Sequence, residues 1–207
     1  MSLEKIDEKQ LLDQLKELFE EKRSSALKKV FTKVNLATKQ FKDIWSTWWE
    51  GEVPPRQEID LILVFSDPIY EELSIIGAEV EYFRDAKKNP YGGLEQALSF
   101  SLFGFDSLVL WHVFTPIIEN RVVESYVKTV SELVEGLNLP LVYFATKFFE
   151  NRKFEFFSPF SLSYHYEADS VLTSLLKYCK KKRNPLLYKE EVKRRRDVLK
   201  VILKIPR

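Results

Sequence analysis

The 207 residues of this chain predict an α/β fold, a mixed central sheet flanked by helices. Three observations carry that expectation. From residue 58 onward, strand-like and helix-like apolar patterns alternate along the chain. Two of the strand-like segments, SLVLWHVF and LPLVYFATKFF, are apolar almost throughout, as strands covered on both faces are. Finally, 45% of the residues are hydrophobic and 14% aromatic, enough to fill a core on each side of a sheet. The length suits one domain with some elaboration. We divide it into an α/β domain with an N-terminal helical elaboration, residues 1–160, and a basic helical C-terminal extension, residues 161–207.

In chain order, Ile6, Leu11, Leu15, Leu18 and Phe19 recur near the helical period and predict a helix over 4–22. A second helix is expected over 26–49, broken by Gly51, Pro54 and Pro55. Its aromatic end carries Trp45, Trp48 and Trp49, rings that either pack a corner or stack on bases. EIDLILVF, 58–65, alternates and is β-branched, hence a strand, and SDPIYEEL is the turn that follows. SIIGAEVEYF, 74–83, returns antiparallel to it. RDAKKNPYGG is a loop, GLEQALSFSLFGF a helix, SLVLWHVF a buried strand. ENRVVESYVKTVSELVEGL is a helix ending at Gly136, and LPLVYFATKFF a further buried strand. After Phe160 the chain reads as helical with a basic face, interrupted at Pro185.

Composition narrows the function classes. No apolar run reaches the roughly 18 residues of a membrane helix, and the charged N-terminus lacks a secretory core, so a cytoplasmic protein without membrane association is expected. A single cysteine, Cys179, excludes an internal disulfide and a zinc cluster, and two histidines do not make a histidine-rich metal site. The net charge of +1 conceals an asymmetry: residues 177–207 hold thirteen Lys or Arg against three acids. The remainder holds nineteen basic and twenty-eight acidic residues. A concentrated basic tail points to a polyanion or to a solvated helix face. Lys180, Lys181, Lys182, Arg183, Lys193, Arg194, Arg195 and Arg196 are its candidate nucleic-acid contacts, meeting phosphate without reading sequence.

The chemistry centres on GAEVEYF. Side chains two apart on a strand share a face, so Glu79 and Glu81 stand together while Ala78, Val80 and Tyr82 fill the other side. A hairpin turn centred near Ile69 and Tyr70 sets Asp60 opposite Glu79 and Glu58 opposite Glu81. Like charges so placed repel. A divalent cation among them removes the conflict, and an all-oxygen site suits Mg²⁺, Mn²⁺ or Ca²⁺. An acidic solvent-facing strand is the plainer alternative.

Glu58-Ile59-Asp60, then Glu79-Val80-Glu81, then Gln96-Ala97-Leu98-Ser99-Phe100 and SLVLWHVF resemble the core of the PD-(D/E)xK nuclease superfamily, over about residues 57–114. The resemblance implies a restriction-endonuclease-like fold and Mg²⁺- or Mn²⁺-dependent hydrolysis of DNA, less readily RNA. It implies Asp60, Glu79 and the Val80 backbone carbonyl as metal ligands, and Gln96 as a positioning group. By analogy it implies a homodimer. The chain departs from the pattern at Glu81, where the superfamily usually has Lys. Three readings stay open. Glu81 is a general base or second-metal ligand; or the site is degenerate, in a protein that binds nucleic acid or a partner without cutting; or a lysine arrives from elsewhere, with Lys87 and Lys88 following the strand. His165, His112 and Cys179 have no spacing that marks them as catalytic.

Overall fold

The computed structural model describes residues 5–21, 26–36, 57–66 and 72–205. Among these residues, seven strands form one mixed sheet in sequence order: β1 (Leu27–Asn35), β2 (Glu58–Ser66), β3 (Leu73–Phe83), β4 (Ser107–Phe114), β5 (Val142–Phe148), β6 (Phe154–Ser158) and β7 (Leu162–Tyr166). β3, β4 and β5 are parallel, and every other neighbouring pair is antiparallel. Both parallel steps are joined through helices, as parallel pairs require.

Among the described residues, five α-helices cover the two faces: α1 (Glu8–Glu21), α2 (Leu94–Ser99), α3 (Asn120–Gly136), α4 (Ala168–Lys181) and α5 (Glu190–Ile202). α1 and α4 pack one face, burying Leu11, Leu15 and Phe19 with Val171, Leu172 and Leu175 against Trp111 and Phe144. α2, α3 and α5 pack the other. Val123, Val127, Val130 and Val134 form the buried stripe of α3. α1 starts where it does because Asp7 and Gln10 form a reciprocal cap. The Gln10 amide donates to Asp7 Oδ1 at 2.8 Å and the Asp7 amide to Gln10 Oε1 at 2.9 Å. That cap fixes Glu8 in the first turn of the helix.

The α/β class, the hairpin and the buried strands agree with expectation; three elements do not. Residues 27–35 form β1, not part of a helix. The rest of the expected second helix, with Trp45, Trp48 and Trp49, lies outside the described residues, as does most of the hairpin turn. β6 was not expected, and β7 falls where helix was read. α4 and α5, read as an extension, place Leu172, Leu175, Val198 and Leu199 in the two cores. The chain does break at Pro185, which opens a 3₁₀ turn, Pro185–Tyr188. No helix among the described residues is long and apolar enough to cross a membrane.

Candidate functional site: a carboxylate cluster at a strand fork

β2 and β3 pair from Ser66↔Leu73 to Leu61↔Ala78, the register that continues to Asp60 opposite Glu79. There the ladder stops. β2 goes on along β1, with Asn35 opposite Glu58, while β3 goes on along β4, with Glu79 beside Leu110 and Glu81 beside His112. The strands fork, and side chains enter the gap. The Val80 amide donates to Asp60 Oδ2 at 2.9 Å, and the Tyr82 amide donates to Glu8 Oε2, from α1, at 3.0 Å.

Asp60, Glu79, Glu81 and Glu8 therefore meet at one place. Glu79 is only 5% exposed and shares a side-chain hydrogen bond with Asp60. Two ionised carboxylates cannot share one, so the pair holds a proton. Burial, then the Asp60, Glu81 and Glu8 charges, push Glu79 up to about 10. Burial also raises Asp60, to about 6, despite the Val80 amide that favours its ionised form. Glu79 Oε2 is buried without a hydrogen-bond partner. A buried orphan acceptor costs on the order of 1–3 kcal/mol and asks for an occupant or a purpose.

The cation at the site is Lys88. Its Nζ ion-pairs with Glu81, donates to Glu8 Oε2 at 3.0 Å and to the Tyr82 carbonyl at 3.3 Å, and lies 5.5 Å from the Phe83 ring centroid. Burial opposes its charge, but the Glu81 and Glu8 carboxylates outweigh it and raise its pKa. Of the two lysines that follow the strand, the loop delivers this one.

The same loop ends in Gly92 and Gly93, which close over the acids. Gly93 has φ +73°, and a Cβ there would lie 2.8 Å from Glu81 Cγ and 2.9 Å from Glu79 Cγ. Neither the backbone angle nor the space admits a larger residue. Buried His112 holds the loop from below. Its Nε2 bonds the Gly92 carbonyl at 3.2 Å and its Nδ1 bonds the Tyr143 hydroxyl at 3.0 Å. Burial lowers His112 to about 3, so the ring is neutral: Nε2–H donates to Gly92 and Nδ1 accepts from Tyr143. Gln96, on α2, is one step aside. Its amide donates to the Glu58 carbonyl at 3.4 Å and borders a groove of about 550 Å³ beside the cluster.

Asp60 and Glu79, with the Val80 backbone next to them, form an oxygen-rich pair. Mg²⁺ characteristically takes one or two carboxylates and keeps its waters. Among the described residues, no three His, Cys, Asp or Glu side chains are arranged to hold a metal ion. The cluster thus offers a two-carboxylate cradle, with Glu81 and Glu8 turned to Lys88.

The basic residues sit elsewhere. The C-terminal end of α4 reaches the N-terminal end of β4, where Ser107 Oγ donates to the Cys179 carbonyl at 2.8 Å. Ser107 is level with Ile76, three residues and about 10 Å before Glu79 along the strands. Arg183 and Arg196 are committed to buried Asp106, at 3.2 and 2.7 Å. Arg196 also donates to the Leu73 carbonyl at 3.0 Å, and Arg195 to that of Leu102 at 3.3 Å. Lys182 pairs with Glu135 at 2.8 Å and Lys193 with Glu190 at 2.6 Å. Lys181 lies over the Tyr178 ring. The tail does not surround the acids.

Sequence reasoning did not mark Glu8; the Asp7–Gln10 spacing of a reciprocal cap was the signal that places it in the first turn. His112, passed over, proved to hold the glycine loop. Cys179 is buried and its thiol is pushed up by that burial, leaving it inert. His165 stacks on Phe149. No protein-family model, curated protein or solved structure matches this chain.

Proposed function

We propose that this chain is a metal-dependent phosphodiesterase of the PD-(D/E)xK kind, acting on DNA, in which Lys88 stands in for the lysine missing at position 81. One observation carries the reading. Buried Glu79 lies beside half-buried Asp60 at a strand fork, with Glu79 Oε2 orphaned and Lys88 brought to the acid two residues on. The order β2, turn, β3, α2, β4 is the order the resemblance requires, and Ala97 and Phe100 of the Gln96 motif are buried.

A divalent cation in this cradle would activate water and neutralise charge on the phosphoryl group. The chain's own residues do the rest. Asp60, Glu79 and the Val80 carbonyl would hold the cation, and Asp60 and Glu79 would release their shared proton to solvent on doing so, since a nearby positive charge favours the ionised forms. Glu81 takes the proton of the attacking water. Lys88, against Glu81, balances the negative charge that develops. Gln96 orients from the α2 side. The rival, a protein that keeps the fold and binds without cutting, is favoured by the absence of lysine at 81 and by the distance between the basic residues and the acids.

The test is cleavage of supercoiled, linear and single-stranded DNA with Mg²⁺, Mn²⁺ or EDTA, by the native chain and by Glu79→Gln. The substitution keeps the shape and the hydrogen bond to Asp60 but removes a ligand. Metal-dependent cutting that falls by about 100-fold or more in Glu79→Gln supports the reading. Salt-sensitive binding without cutting in the native chain replaces it with the rival.

A further inference from the structure

We propose that the groove beside the carboxylates seats one unpaired nucleobase, so that the site takes single-stranded polynucleotide in preference to intact duplex; this rests on the nuclease reading above and deepens it. The groove measures about 550 Å³ and lies beside the cluster, lined in part by the Gly92 and Gly93 that pack on its acids. Glu58 on its wall is two residues from Asp60, and Gly93 in its floor packs against Glu79 and Glu81. Its described lining holds two carboxylates, Glu58 and Glu95, and no Lys or Arg. Phosphate is repelled by such a lining. A nucleobase is not. It is uncharged, with a flat π face and an edge bearing N–H donors. Tyr91, 46% exposed at the groove, offers a ring for the face. The Glu58 and Glu95 carboxylates accept from exocyclic amino groups, and the Gln96 amide serves the remaining edge atoms. In a duplex those edges are paired and those faces stacked, so only an unpaired base enters.

The groove is built before a base arrives. His112 and Tyr143 hold Gly92 from the core, and Gln96 is tied to the Glu58 carbonyl. A second hollow, of about 250 Å³, is bordered by Glu8, Tyr82, Arg84, Asp85 and Lys88, and it holds two cations, Arg84 and Lys88, where the described lining of the groove holds none. A strand crossing the fork places a base on the Tyr91 side and a phosphate on the Arg84 side. Because carboxylate acceptors dominate the groove, bases with an exocyclic amino group are favoured over thymine and uracil, which offer a single ring N–H.

Fluorescence anisotropy with labelled oligo-dC, oligo-dT and a blunt hairpin duplex, each about ten residues long and in EDTA, tests this on the native chain, Tyr91→Ala and Glu95→Gln. Oligo-dC is expected to bind about tenfold more tightly than oligo-dT or the hairpin, to lose about tenfold in Tyr91→Ala, and to lose its advantage over oligo-dT in Glu95→Gln. Equal affinity for the three probes, no oligo-dC binding at about 0.1 mM protein, or an unchanged Tyr91→Ala protein overturns the proposal. Cleavage is scored separately in Mg²⁺. Base-selective binding without cutting keeps the groove and removes the nuclease reading. Cutting of duplex and single strands alike, at rates Tyr91→Ala does not alter, keeps the nuclease and removes the groove.

Discussion

Asp106 and Glu79 are both buried acids on neighbouring stretches of the sheet, 3% and 5% exposed, and the fold treats them in opposite ways. Asp106, just before β4, is fully matched. Its Oδ2 accepts from the Ile75 amide at 2.7 Å and pairs with Arg196 at 2.7 Å, while Arg183 reaches Oδ1 at 3.2 Å. Glu79 has acids for neighbours and an oxygen with no partner. A buried charge is retained for structure when its partners are supplied within the chain. One left without them marks a place where something else is to be supplied. The two ends of β3 and β4 thus divide the work: the tail end is closed by its own cations, and the fork end is left electrostatically unfinished.

The largest effect expected from breaking this contrast is on stability, at Asp106. Asp106→Asn leaves the part-buried Arg196 against a neutral partner and should cost about 3 kcal/mol, read from the urea midpoint. Glu79→Gln should cost little or raise the midpoint, because the native side chain is already protonated near neutral pH.

The pH dependence sharpens the same point. The folded chain keeps the Glu79 proton up to about 10, whereas the unfolded chain loses it above 4.5. Between those values the folded state binds more protons, so stability is highest at the acid end of this range and falls as pH rises. Asp60 adds to the fall between 3.8 and about 6. Thermal scans across this range should show the midpoint dropping in the native chain and a flatter profile in Glu79→Gln. Added Mg²⁺ should raise the native midpoint at alkaline pH and leave that of Glu79→Gln unchanged.

Lys88→Met comes next. The side chain is 36% exposed, so the loss of its ion pairs should cost under about 1 kcal/mol, while cutting should fall by about 100-fold. Equal cutting by the variant would return position 88 to a structural role. The smallest effect is expected at the tail. Lys182→Ala removes a surface pair with Glu135 and should shift the urea midpoint by less than about 0.5 kcal/mol.

The acids of the hairpin were legible because strand geometry has a period of two and the turn fixes its register: Asp60, Glu79 and Glu81 share a neighbourhood for reasons local to 58–83. The rest of the cluster is not local. Glu8 comes from a helix 74 residues before Tyr82, and Lys88 from a loop whose path depends on its glycines. The fork itself is a property of three strands, and no single strand's pattern announces it. β1 was misread because LKKVFTKVN lies at the sheet edge, half exposed, where lysines discourage pairing with other chains. Those lysines also suit a helix surface, and in isolation the two readings are alike. β7, LSYHY, lies at the other edge and is mostly exposed, so it lacks the buried alternation that identifies a strand. The basic run was visible, but its destination was not, because the arginines found Asp106 only through the folded chain.

The fork has a consequence for association. Where β2 and β3 part, the Val80 and Tyr82 amides would present an open edge inside the sheet, ready to accept a foreign strand. Asp60 and Glu8 occupy those amides with groups that, when ionised, can only accept hydrogen bonds. An intruding strand would have to displace both carboxylates before it could pair. The acids gathered at the fork therefore also stand in the way of self-assembly at this seam.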